Sequence, residues 1–89
     1  MPFTNITTLR VDTNIGQKAF GSNYSITNLT IGVNCTHIGA SAFSNNPGTI
    51  IEYEGSSIQW ENIKKDSGWR NQSSYKTVHC QADDVTITL

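Results

Sequence analysis

One six-residue phrase occurs twice in the chain. Ile15-Gly16-Gln17-Lys18-Ala19-Phe20 returns 23 residues later as Ile38-Gly39-Ala40-Ser41-Ala42-Phe43. Its neighbours return with it: Thr4, Asn5, Thr7, Thr13 and Asn23 recur as Thr27, Asn28, Thr30, Thr36 and Asn46, so nine of the first 26 positions repeat identically. A unit of that length cannot enclose a core of its own. Its copies must therefore lie against one another and bury a shared one.

Aligned at this offset, Phe3, Ile6 and Ile15 fall on Ile26, Leu29 and Ile38. Leu29 and Ile31 flank Thr30 with the period of a strand that has one buried face, which points Thr30 outward. Thr8 stands where the second copy has Ile31, so the first strand is expected to present a weaker inner face. Gly21-Ser22-Asn23 and Gly32-Val33-Asn34 carry turn chemistry and mark corners. Gly16 and Gly39 are expected to bend the chain tightly before a single helical turn that brings Ala19-Phe20 or Ala42-Phe43 inward. Successive copies would then stack Ile15, Gly16, Ala19 and Phe20 on Ile38, Gly39, Ala42 and Phe43 as a ladder.

Composition agrees with a mostly β chain: Ser and Thr supply 20 residues and Asn nine, against three Leu. With 89 residues there is room for one domain, burying roughly 60–65% of its unfolded surface. The net charge is -1 and the six Lys and Arg are scattered, so the basic stripe of a nucleic-acid binder is missing. No apolar run reaches the ~18 residues of a membrane span, and no signal-peptide pattern opens the chain. Neither nucleic acid nor membrane insertion is expected.

After residue 53 the pattern changes. Ser56 followed by Gln59 reads as a capping box, and Ser57 to Lys65 contains neither Gly nor Pro, which predicts a helix of about nine residues ending on Lys64 and Lys65. Trp60 and Ile63 would share its inner face, and Gly68 would stop it. Tyr75 to Cys80 and Asp84 to Leu89 read as strands, the second in perfect alternation.

The phrase Ile-Gly-x-x-Ala-Phe at a 23-residue period resembles the BspA-like leucine-rich repeats of bacterial and protozoan surface proteins. The chain departs from that pattern at Gly32, where the family commonly has Pro, and at Asn23 and Asn46, where it often has Cys. The later residues Ile51, Tyr53, Gly55, Ser56, Trp60, Ile63, Trp69, Val78, His79 and Cys80 look like the closing unit of such arrays. The resemblance implies a β-rich α/β fold: a short leucine-rich-repeat solenoid closed by a C-terminal helix and strands. Residues 1–89 would form one domain, with repeats over 3–53 and a capping unit over 54–89, whose Trp60, Ile63 and Trp69 cover the last coil. These residues would be the end of a longer array.

Candidate chemistry is sparse. Cys35, His37, His79 and Cys80 are the possible zinc ligands, but adjacent His79 and Cys80 point to opposite sides of a strand, so four-fold convergence is not expected. A Cys35–Cys80 disulfide would close a long loop, worth roughly 4 kcal/mol in the chain-entropy model, although the family generally has an aliphatic residue at the first position. No Gly-x-Ser-x-Gly elbow accompanies the histidines, and Asp83-Asp84 lacks the spaced oxygens of a calcium loop. The chain is read as non-catalytic, with no cofactor. Five Asn-x-Ser/Thr sequons, at Asn5, Asn23, Asn28, Asn34 and Asn71, follow from a composition rich in these residues as readily as from glycosylation.

The outward strand positions Asn5, Thr7, Asn28, Thr30 and Glu52, with Glu54 at their margin, form the candidate binding surface. What the resemblance implies is an extracellular or cell-surface module for recognition or adhesion, binding a host matrix or surface protein or a protein of a neighbouring cell; the isolated fragment is expected to be a monomer. Two other readings stand beside it. One is a purely structural cap or spacer; the other is a carbohydrate-binding accessory domain that stacks sugars on Tyr53, Trp60 or Trp69.

Overall fold

A computed structural model describes residues 6–89. In chain order the elements are β1 (Thr8–Val11), β2 (Asn28–Ile31), β3 (His37–Ile38), β4 (Ile50–Tyr53), α1 (Ser57–Glu61), β5 (Lys64–Lys65), β6 (Thr77–Cys80) and β7 (Val85–Thr88). Five strands form one sheet in the order β1-β2-β4-β6-β7, and β3 pairs with β5 in a second, two-stranded one. The first four strands of the large sheet run parallel, whereas β7 returns antiparallel beside β6.

This overturns the expected leucine-rich-repeat solenoid closed by a helix and strands. The chain is built on a small mixed sheet with very little helix, and the nine-residue closing helix over Ser57–Lys65 is absent. Five residues are helical, because Asn62 caps the segment early and Ile63 turns into the core at 4% exposure. Lys64 and Lys65 then pair as strand with His37 and Ile38. The capping box is present: Ser56 Oγ accepts from the Gln59 N–H, and Gln59 Oε1 accepts from the Ser56 N–H. It starts a helix whose continuation loses to burial of Ile63, as a segment this short has little intrinsic stability.

The strands alternate as a half-buried sheet requires. Leu29 and Ile31, Ile51 and Tyr53, and Val78 and Cys80 are buried in one layer, while Thr30, Glu52 and His79 between them face outward. Against the inner layer pack Ile26, Ile38, Ala42, Phe43, Trp60, Ile63 and Tyr75. Fully burying side chains of this size stabilises by roughly 1.5–3 kcal/mol each.

The 23-residue offset holds in the turns and fails in the strands. Ile15 bridges Ile38 in parallel, but Leu9 sits beside Leu29 and Val11 beside Ile31. Three residues (12–14) separate Val11 from Ile15, whereas six (32–37) separate Ile31 from Ile38. The first strand is thus displaced, and Val11 rather than Thr8 fills the place of Ile31. Val11 is 7% exposed, so the inner face expected to be weak is filled.

Beyond the strands, the two phrases lie directly against each other. The amides of Lys18, Phe20 and Ser22 donate to Ala40, Ala42 and Ser44, and those of Ser41, Phe43 and Asn45 donate to Gly68, Trp69 and Asn71. Residues 68–72 therefore extend the ladder without repeating its sequence. Lys18, Ser41 and Gly68, and again Ser22, Asn45 and Gln72, all have left-handed backbone with φ between 57° and 72°. A Cβ on Gly39 would stand 2.5 Å from the Gln17 nitrogen, so this glycine is fixed by close approach of the neighbouring copy.

Candidate functional site

The outer face of the five-stranded sheet is the surface on which polar side chains converge. Across the strands one row reads Arg10, Thr30, Glu52, His79, Thr86, and a second reads Thr8, Asn28, Ile50, Thr77, Thr88. Register and alternation place these residues, because the partner face of each strand is committed to the core.

Of the residues expected here, Thr30 and Glu52 are neighbours in the first row and Asn28 is exposed in the second. Thr7 is a correction. It precedes β1 and offers its carbonyl to the amides of Thr27 and Asn28, while Arg10 occupies the place opposite Thr30. The three-residue shortening of the first copy moved it. Asn5 lies outside the described residues. Glu54 follows β4 and is held by Arg10, whose Nε and Nη2 donate to its two oxygens at 2.8 and 2.6 Å.

His79 is the centre of a clasp that the spacing of residues did not reveal. Its Nδ1 lies 2.8 Å from Glu52 Oε1 and its Nε2 lies 2.7 Å from Asp84 Oδ1. Gln81 Nε2 donates to the same Glu52 oxygen at 3.1 Å. An imidazolium donates to both carboxylates at once, so hydrogen bonds to Asp84 and then Glu52 raise the His79 pKa above its ordinary value. Strand register brought Glu52 to His79, and the left-handed Asp84, φ 56°, folds the β6–β7 turn back over the ring. At the other edge Asp12 accepts the Asn34 N–H and Nδ2–H at 2.9 and 3.0 Å, which holds its carboxyl below the usual range.

Between β2 and β4 the face dips into a hollow of about 250 Å³ lined by Asn28, Thr30, Ile50 and Glu52 among others. Ile50 is 51% exposed at its rim, an apolar contact among hydrogen-bonding groups.

The remaining expected residues lie elsewhere. Ile15, Ile38, Ala42 and Phe43 are buried, Phe20 is half-buried, and Ala19 and Gly16 are exposed. Trp60 and Tyr53 are buried at 2% and 1%, their rings 5.4 Å apart; Trp69 packs edge-on against Trp60 and Phe43. Burial removes the flat faces of Tyr53 and Trp60 from solvent. Cys35 and Cys80 are buried free thiols, and among the described residues no group of three or more His, Cys, Asp or Glu side chains is placed to hold a metal ion. His37 instead meets Asp66 at 3.0 Å.

Sequence reasoning also missed two buried asparagines. Asn46, 0% exposed, directs its Nδ2 to the carbonyls of Phe20, Ser44 and Asn23 at 3.1, 3.2 and 3.4 Å. Asn23, its repeat mate, is 2% exposed. Their recurrence at the repeat offset was the available signal.

Neither a protein-family model, nor a curated protein, nor a solved structure matches the chain. Among the described residues no helix is long and apolar enough to cross a membrane.

Proposed function

We propose that the chain is a non-catalytic recognition module that binds a protein through the outer face of its five-stranded sheet. The observation that carries this reading is the in-register row Arg10, Thr30, Glu52, His79 and Thr86. It is polar, lies over a buried layer, and is held by the Arg10–Glu54 pair at one end and the His79 clasp farther along. A surface whose side chains are already held loses little conformational entropy on binding. The hollow beside Ile50 offers an apolar anchor within a polar surround, the arrangement of an interaction centre.

The resemblance of the repeated phrase to BspA-like surface repeats supports an extracellular or cell-surface setting and an adhesive role toward host matrix or surface proteins. The test is solid-phase binding of the chain to collagen, fibronectin and laminin, beside the variants Thr30→Arg and Asn28→Arg. Capture of the parent and at least tenfold weaker capture of both variants is the expected result. Equal capture of parent and variants, or capture by none of the three proteins, would remove the reading. A purely structural terminus predicts unchanged binding by the variants.

A further inference from the structure

The last strand of the sheet, β7, pairs with β6 on one side and forms the edge of the sheet on the other. Antiparallel pairing of Val78 with Ile87 and of Cys80 with Val85, together with the Leu89 amide donating to the Lys76 carbonyl at 2.9 Å, fixes which groups of β7 turn inward. In an antiparallel ladder alternate residues exchange hydrogen bonds with a given neighbour. Val85, Ile87 and Leu89 therefore bond to β6, and the N–H and C=O groups of Thr86 and Thr88 point away from the sheet.

The side chains alternate in the same way. Val85, Ile87 and Leu89 lie on the core side, yet Val85 is 39% exposed and Ile87 and Leu89 only partly covered. Helix α1 packs against β7, tied through Ser57, whose N–H and Oγ–H donate to Asp83 Oδ2 at 3.0 and 2.6 Å. Ile58 on that helix is 73% exposed. The core is thus open along the β7 edge, and among the described residues no strand pairs with the row of backbone groups beside it.

We infer that two copies of this chain join antiparallel along β7, about a two-fold axis through Ile87. That register sets Thr86 opposite Thr88 of the second copy as the hydrogen-bonded pairs. It sets Ile87 against Ile87, and Val85 against Leu89, on the core side. The stretch from Val85 to Leu89 reads apolar, Thr, apolar, Thr, apolar in both directions, so an isologous pairing matches like with like.

Charge selects this occupant. Between Val85 and Leu89 there is no ionisable side chain and no Pro, and the register of Val85 to Thr88 with β6 runs without a bulge, so the devices that usually blunt an edge are missing from this stretch. Asp84 falls outside the paired residues and is engaged by His79. The opposite edge, β1, carries Arg10 and is followed by Asp12. The result is a continuous ten-stranded sheet, a dimer rather than the monomer expected from the sequence, and it does not depend on what the outer face binds.

The test is sedimentation velocity of the 89-residue chain over a concentration series. The expected result is a concentration-dependent monomer–dimer equilibrium with no larger species. Thr86→Pro removes an N–H that bonds nothing within the sheet, so it should raise the dimer dissociation constant roughly tenfold or more. Thr88→Lys places a charge on the same edge and should do likewise if the proline variant folds poorly. Thr8→Lys on the opposite edge should leave the dimer intact. A monomer at every concentration up to about 1 mM, open-ended growth, or a dimer lost on Thr8→Lys and kept in folded Thr86→Pro and Thr88→Lys would overturn the inference.

Discussion

The rings of Phe20 and Phe43 stack with centroids 5.8 Å apart and planes 11° from parallel. Phe43 is the inner member: at 0% exposure it also meets Trp69 and Tyr75 edge-on, both at 6.5 Å. Phe43→Ala removes a ring contacted on three sides and should destabilise by about 3–5 kcal/mol. Phe20→Ala, at the partly exposed end of the stack, should cost distinctly less. Urea unfolding followed by tryptophan fluorescence measures both, and equal losses would contradict the asymmetry.

Asn46 ties the two copies together through a different interaction. Its amide serves three carbonyls, and its Oδ1 accepts the Tyr75 hydroxyl at 3.4 Å. Asn46→Ala removes a donor shared by three carbonyls, of which those of Ser44 and Asn23 keep the Ser22 and Ile26 amides, and it takes the acceptor from the Tyr75 hydroxyl; it should cost about 1–3 kcal/mol. Asn46→Asp keeps the volume but aims a carboxylate at carbonyl oxygens, so it should be worse than alanine at neutral pH. Thermal unfolding of the two variants at pH 7 decides; a milder effect of Asp would show that hydrogen bonding is not what Asn46 contributes.

How much of this was legible in the sequence depends on where repetition and geometry coincide. The repeated phrase brought Ile15 to Ile38 and Phe20 to Phe43 because its internal spacing is the same in both copies. Strand register was hidden by three residues missing between Val11 and Ile15, which moved Arg10 opposite Thr30 and displaced Thr7. The third rung of the ladder was hidden for another reason: Lys65 pairs with Ile38, and backbone groups rather than matching side chains make the contact. Helix was overstated because capping and propensity are local, while burial of Ile63 and pairing of Lys64 with His37 are not. The His79 clasp joins residues 27 and five positions apart, which no motif spacing encodes.

The outer face should respond to pH in two opposite ways. Hydrogen bonds to Asp84 and Glu52 raise the His79 pKa, so its stabilising contribution is complete below the ordinary imidazole pKa of about 6.5. That contribution is lost as pH rises through the elevated value in the fold. Asp12, bonded by Asn34, and Glu54, bonded by Arg10, are shifted downward; theirs is present above the ordinary carboxylate range and lost as pH falls. Proton NMR titration of the His79 ring should give an upward-shifted midpoint that returns toward the ordinary value in Asp84→Asn. An unchanged midpoint in that variant would deny the clasp its charge.

The two thiols should be silent in the folded chain. Cys35 and Cys80 are 1% and 0% exposed, and burial is the first cause that pushes both thiol pKa values up, which keeps the reactive thiolate scarce. Cys80 lies in β6, between β4 and β7, so reaching it requires opening of the sheet rather than movement of a surface loop. Cys35 offers its Sγ–H to the His37 carbonyl at 3.7 Å, beside the parallel pair β3–β5. With a chromogenic disulfide reagent at pH 8, both thiols should react within seconds in denaturant. In native buffer both should react only slowly, at rates that rise as Phe43→Ala lowers stability. Fast labelling of Cys80 in the native parent would mean that β7 separates from β6 readily, contrary to the continuous ladder from Thr77 to Cys80.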